Sequence, residues 1–273
     1  MKNEIYASTG AFTGMANGYD YEVIKELYPR LCCDGIELMM YSAWYGKLEE
    51  VMDTIASYGV NIPVVHFDKC IGIHLAQHTA EDIAEAKRKF SLNVWAAKRV
   101  GAKKAVFHLW GGENSDIFIE RSLKYLPEFY RECDEVGIDL LIENIPSRYH
   151  GAYSNLCRVR DFYPEARFIY DTRFGEYHAE HALIMRKPIW ERVRHIHISS
   201  YDRTKKGIWG LIRPILHPGE GCVDLPALVK SMPEYTHSVT LESPVLSKSG
   251  EIDVEKLNAS LFYLREVFGG KEE

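Results

Sequence analysis

The chain has 273 residues, 46% hydrophobic and 26% charged, with a formal net charge of −6. The composition is ordinary for a soluble globular fold, and the length suits either one α/β barrel or two small domains. The acidic balance offers no electrostatic case for nucleic acid, whose phosphates are bound by dense Lys and Arg, and no run of about 18 apolar residues marks a membrane span.

Strand-like runs alternate with amphipathic segments along the chain. In order, the pattern predicts a strand at Ile5–Ser8, a helix at Tyr21–Cys32, a strand at Gly35–Met39, a helix at Lys47–Tyr58 and a strand at Ile62–Phe67. A long helix at Glu81–Val100, a strand at Lys104–Leu109, a helix at Ile117–Val136 and a strand at Asp139–Glu143 follow. The second half predicts a helix at Ser154–Tyr163, a strand at Arg167–Asp171, a helix at His181–Glu191 and a strand at Arg194–Ser199. It closes with a helix at Leu225–Ser231, a strand at Ser238–Glu242 and a helix at Val254–Val267. Gly59, Gly101 and Gly137 each stand where a helix ends in a left-handed residue.

The strands are mostly apolar on both faces, as in Leu140-Leu141-Ile142, which is expected of a parallel sheet covered by helices. Eight such β/α units in one chain point to α/β architecture, a single (β/α)8 TIM barrel spanning 1–273. An open doubly wound sheet is the alternative; its nucleotide-binding forms are weakened by the lack of G-x-G-x-x-G after a strand and of a P-loop. The stretch 200–221 is the longest loop and carries Arg203, Lys205, Lys206, Trp209 and Arg213. It is a candidate lid, with a surface insertion as the plain alternative.

Six cysteines occur without a C-x-x-C pair, so reduced thiols and a cytoplasmic location are expected. The opening Met1-Lys2-Asn3-Glu4-Ile5 holds no apolar signal core. Homo-oligomerisation is left open.

Function is written at the strand ends. All but the first predicted strand place an acid or imidazole near the carboxyl end: Glu37, His66, His108, Glu143, Asp171, His197 and Glu242. In a barrel these ends converge on one mouth. Burying such groups costs several kcal/mol each unless they are paired or bind a cation, and a divalent metal would relieve the repulsion among the carboxylates. Each residue alone has a plainer reading: a strand-end His bonded to backbone, Asp171 as a helix cap, Glu37 paired with an Arg. His195 shares the parity of His197, but His197 lies nearer the strand end.

The ordered set Ile142-Glu143-Asn144, Tyr170-Asp171-Thr172, His195-Ile196-His197-Ile198, His217-Pro218-Gly219-Glu220-Gly221 and Leu241-Glu242-Ser243-Pro244 resembles the xylose-isomerase-like TIM-barrel superfamily. That group includes sugar epimerases, sugar-phosphate isomerases and the endonuclease IV repair enzymes. The resemblance to its ketose epimerases implies one metal held by Glu143, Asp171, His197 and Glu242, with Glu143 and Glu242 as acid and base on a small carbohydrate. The resemblance to endonuclease IV implies further zinc ligands at His66 and His108. One departure touches both resemblances: where the family often reads Asp-Thr-x-His, this chain has Phe174, which removes a ligand that the three-zinc nuclease needs and a substrate contact that the epimerases use, with His178 and His181 as nearby substitutes. Another is the apolar pair Ile215-Leu216 before His217.

The expected activity is therefore a divalent-metal-dependent (Mn, Mg, Co or Zn) isomerase or epimerase. An endonuclease IV-like zinc phosphodiesterase and a non-catalytic ligand-binding barrel are the alternatives. One imidazole among three carboxylates favours Mn, Co or Mg, and ligation by His66 and His108 would favour Zn. Arg148, Arg173 and Arg203 are candidates for a substrate phosphate or carboxylate. His217 is a further candidate ligand or substrate contact. Trp110 and Phe12 are candidates for an apolar wall against a sugar ring.

Overall fold

The computed structural model describes residues 3–112, 114–202, 214–234 and 238–269. Eight parallel strands close into a barrel in the order β1, β10, β7, β6, β5, β4, β3, β2. They are β1 (Glu4–Ser8), β2 (Gly35–Met39), β3 (Val64–His66), β4 (Lys104–Phe107), β5 (Asp139–Glu143), β6 (Arg167–Asp171), β7 (Val193–Ile198) and β10 (Ser238–Leu241). The remaining two, β8 (Ser200–Tyr201) and β9 (Ile215–Leu216), pair antiparallel outside it. The expected (β/α)8 barrel is therefore present, and every predicted barrel strand lies within two residues of an observed one.

Side chains alternate across each strand. Outward residues such as Ile36, Val65, Phe107, Ile142, Phe168 and Ile196 join the helices in one continuous core. Inward, Tyr6, Val64, Val106, Leu141 and Ile169 form a separate apolar plug. Two residues further along, the inward positions become His66, His108, Glu143 and Asp171. The interior thus passes from hydrocarbon to charge within about 7 Å of strand rise.

The helices depart from expectation where proline intervenes. The predicted Ile117–Val136 helix is two, Ile119–Leu123 and Leu126–Asp134, the second with Pro127 in its first turn. Tyr21–Cys32 contracts to Val23–Leu27 followed by a 3-10 turn at Tyr28–Arg30 that contains Pro29. His181–Glu191 shortens to His181–Ile184, with Pro188 denying the ladder a donor downstream. The loop expected at 200–221 is paired at both ends by β8 and β9. Its candidate Arg203, with Lys205, Lys206, Trp209 and Arg213, lies outside the described residues. Gly59, Gly101 and Gly137 adopt positive φ, as a left-handed helix stop requires. Among the described residues no helix is long and apolar enough to cross a membrane, and none of the six cysteines is disulfide-bonded.

A helix at Cys70–Gln77, absent from the predicted elements, lies against the chain that leaves β4. A Cβ built on Gly72 would stand 2.2 Å from the His108 carbonyl oxygen and 2.9 Å from that of Trp110. Glycine is what lets this helix approach the mouth, and it sets the positions of Lys69 and His108. Gly72→Ala is expected to lower unfolding free energy by about 1–3 kcal/mol, the usual cost of overpacking. Chemical denaturation reads this, and an unchanged midpoint would refute the close approach.

Candidate metal centre

Strand stagger decides which strand-end residues meet. On β2, Glu37 is in register with Val64 while Met39 is level with His66, so Glu37 sits one pleat deeper than His66. Asp171 and Thr240 both lie level with His197, and Glu143 lies level with Ile169. The result is two layers joined by His197.

In the upper layer, ligand atoms of Glu143, Asp171, His197 and Glu242 all fall within 4.8 Å of one another. His197 Nδ1 faces Glu143 Oε1 at 2.9 Å and Glu242 Oε1 at 3.5 Å. Glu143 Oε2 accepts from His108 Nε2 at 2.6 Å and stands 3.7 Å from His66 Nε2. In the lower layer, Glu37 Oε2 meets His197 Nε2 at 3.1 Å and His195 Nε2 at 3.2 Å, and accepts from Thr240 Oγ1 at 2.9 Å. His195 Nδ1 is held by Ser238 Oγ at 2.7 Å.

Asp171 has a divided role. Its Oδ1 accepts from the Phe174 amide at 2.8 Å and so caps the helix Thr172–Tyr177. Asn144 clamps its backbone through hydrogen bonds at 2.6 and 3.1 Å. Its Oδ2 is buried without a hydrogen-bond partner, the Arg173 guanidinium standing 3.8 Å away. Glu37 Oε1 and His66 Nε2 are likewise buried without partners.

These groups titrate away from their ordinary values. Burial pushes Asp171 up to about 7; nearby Glu143 and Glu242 add to this, and Arg173 opposes it. Burial also opposes the ionised forms of Glu37 and Glu143, but the facing imidazoles, His197 foremost, prevail and hold both carboxyls well below the usual range. Burial likewise opposes charge on His197, yet Glu37, Glu242 and Glu143 together raise it well above the usual imidazole value. His108 and His195 are pulled by burial down to about 4.

The donor set fits a divalent cation. Three carboxylates and an imidazole converge at separations that metal–ligand bonds of about 2.0–2.2 Å can span, and the Asp171 oxygen facing them lacks a partner. Glu37 then takes the place of an outer carboxylate that accepts from the far nitrogen of a ligating imidazole, fixing its tautomer and orientation.

Residues 30–266 match the family described as xylose isomerase-like TIM barrel. The chain belongs to that family. The search of curated proteins returned no significant match. Among solved structures, a xylose isomerase-like TIM barrel/4-hydroxyphenylpyruvate dioxygenase fusion protein is 15% identical with a TM-score of 0.72, over 97% of this chain and 43% of that one. The chain thus spans less than half of that protein. The IOLI protein with a bound zinc atom is 16% identical with a TM-score of 0.71, over 97% of this chain and 98% of that one. A D-allulose 3-epimerase from Methylomonas sp., in complex with D-allulose, is 14% identical with a TM-score of 0.71, over 98% of this chain and 97% of that one. At these identities the likeness is one of fold.

Within this xylose isomerase-like barrel, several sequence candidates stand elsewhere. His217 is buried away from the cluster, its Nδ1 on Ser260 Oγ at 2.7 Å and its Nε2 on the Pro244 carbonyl at 3.2 Å. Trp110 and Phe12 are core residues rather than a wall, and Trp110 Nε1 donates to the Pro146 carbonyl at 3.3 Å. His178 accepts from the Ser147 amide, and His181 bonds Tyr170 and Glu176, so neither replaces the family histidine at Phe174. Arg148 is exposed and lies over the Tyr149 ring. Arg173, by contrast, is buried beside Asp171 and stacked on Phe174. Sequence reasoning quoted Asn144 in a motif but gave it no role, and missed Asp116. The latter is a buried carboxylate that takes the Arg148, Tyr149 and His150 amides and so anchors the loop after β5.

The raised Asp171 and His197 mean that the metal-free centre holds protons near neutrality that a cation must displace. Metal affinity should therefore fall as pH drops through 7. Calorimetry of Mn2+ binding in buffers of different ionisation enthalpy should show net proton release at pH 7. Binding without proton release would contradict it.

Proposed function

We propose that the chain is a divalent-metal-dependent isomerase or epimerase of a small ketose or related polyol. The observation that carries this reading is the meeting of Glu143 and Glu242 with Asp171 and His197 at one point in the barrel mouth. The D-allulose 3-epimerase of the same fold supports the choice of a carbohydrate.

Glu143, Asp171, His197 and Glu242 would hold the cation. The chemistry a bound cation supplies is Lewis-acid polarisation of a carbonyl and its neighbouring hydroxyl, which acidifies the adjacent C–H. Glu143 is the buried candidate to receive that proton; in the metal-free centre it faces His197 Nδ1 at 2.9 Å and accepts from His108 Nε2 at 2.6 Å. Glu242 is less buried, its side chain retaining 10% exposure, and its Oε1 stands 3.5 Å from the same His197 Nδ1 that Glu143 faces. If one glutamate takes the proton and the other returns it on the opposite face, the stereocentre inverts. If the same group returns it at the next carbon, an aldose and a ketose interconvert. Asp171 and Glu37 stay out of the proton transfer, the first tied to a helix end and the second buried beneath His197.

A zinc phosphodiesterase is the second reading. It is favoured by the metal-like spacing of His66, His108 and Glu143 and by a buried His66 Nε2 that has no hydrogen-bond partner and stands 3.7 Å from Glu143 Oε2. Phe174, buried where the family often has a histidine, opposes it.

Glu143→Gln and Glu242→Gln keep an oxygen donor and the side-chain volume but lose the proton-accepting carboxylate. With metal occupancy confirmed, each is expected to lower turnover on a ketose panel by about 10²–10⁴-fold. Wild type should wash solvent deuterium into the product. A wild-type rate in either variant would remove that glutamate from the mechanism. Nicking of abasic-site DNA by the pure protein would select the phosphodiesterase.

A further inference from the structure

Beside the carboxylate-rich centre lies a cavity of opposite character. Its volume is about 380 Å3, and its lining includes Lys69, His108 and Arg173 with apolar Ile73, Pro146 and Phe174. Among the described residues that line it none is acidic. It adjoins the centre at two points: His108 reaches Glu143 at 2.6 Å, and Arg173 lies 3.8 Å from Asp171.

The two cations are placed differently. Arg173 is 6% exposed and lies over the Phe174 ring at 4.4 Å, so its guanidinium is ordered before any ligand arrives. Its nearness to Asp171 gives it a second explanation, as a counter-charge within the centre. Lys69 has none: it is exposed and, among the described residues, forms no ion pair. It stands at the head of the Cys70–Gln77 helix, whose seat against the His108 backbone depends on Gly72. A long cationic side chain at a cavity rim without an acidic partner is available to an incoming anion. A guanidinium in the wall adds planar, directional donors suited to carboxylate or phosphate oxygens.

We propose that this cavity is an oxyanion subsite, so that the substrate is a small carbonyl-bearing sugar or polyol with a phosphate or carboxylate group held between Lys69 and Arg173. The volume lies within the range of small-molecule sites. Ile73, Pro146 and Phe174 place apolar surface beside the ion contacts, which lowers the local dielectric and strengthens them. The substrate half of this inference rests on the isomerase reading; the anion site itself does not.

The test is calorimetric titration of sulfate, a tetrahedral dianion and a weak metal ligand, into the metal-loaded full chain at low ionic strength. Saturable binding that weakens with added salt is expected. Lys69→Gln should weaken it by about tenfold, the worth of one charge-assisted contact, and Lys69→Arg should retain it. Arg173→Gln should weaken it as well. Absence of saturable sulfate binding to wild type, or an unchanged affinity in Lys69→Gln, would overturn the subsite. Competition then identifies the anion: displacement of sulfate by a ketose phosphate selects phosphate, and by a keto-aldonic acid selects carboxylate. Displacement by neither would overturn the assignment to substrate. No turnover is needed, so failure of the isomerase reading is seen separately in the Glu→Gln variants.

Discussion

Negative charge gathered in one dry place is the constraint around which this molecule is arranged. Glu37, Glu143 and Asp171 are almost wholly buried and Glu242 is nearly so. Carboxylates at this spacing cannot all ionise without a compensating cation. In the metal-free chain the compensation comes from protons. His197, raised well above its ordinary value, carries one between the two layers, and Asp171, pushed to about 7, keeps another. A divalent cation supplies the same charge at one point and frees both groups to act as ligands. The centre is thus built in its metal-free form at the cost of partnerless polar atoms, Asp171 Oδ2 and Glu37 Oε1 among them. Each such atom costs about 1–3 kcal/mol.

The barrel makes that concentration of charge affordable by confining it. Below it, the plug of Tyr6, Val64, Val106, Leu141 and Ile169 fills the interior with hydrocarbon. Outside it, the alternate residues of the same strands pack on the helices. Hydrogen bonds then fix each charged group. Asn144 and the Phe174 amide hold Asp171, Glu37 holds His197, and Ser238 and Thr240 hold His195. The positive cavity next to the centre extends the same logic, since a cation-lined wall beside a carboxylate cluster can orient a substrate that carries charge of its own.

Much of this was legible in the residue order. Strand positions follow from short apolar runs between amphipathic segments, the carboxyl-end positions of Glu143, Asp171, His197 and Glu242 put them near the mouth, and the family resemblance singled them out as a set. Of the two histidines on β7, His197 faces the upper carboxylates and His195 lies a layer below. What residue order does not carry is stagger and the course of the loops. Glu37 looks like a fourth strand-end acid beside Glu143, Asp171 and Glu242, yet register places it one pleat deeper than His66. His217 looks like a ligand until the loop folds it onto Ser260. Trp110 sits two residues beyond His108, yet it turns into the core. Lys69 carried no motif, and only the glycine-dependent seat of its helix brings it to the cavity.

The central claim is that Glu143, Asp171, His197 and Glu242 share one divalent cation. Anomalous diffraction from crystals grown with Mn2+ tests it most directly. The account predicts one strong peak within about 2.0–2.3 Å of an atom from each of these four side chains, with His197 bound through Nδ1 and its Nε2 donating to Glu37. No peak at that point, or a peak held by His66 and His108 with Asp171 unbound, would contradict it.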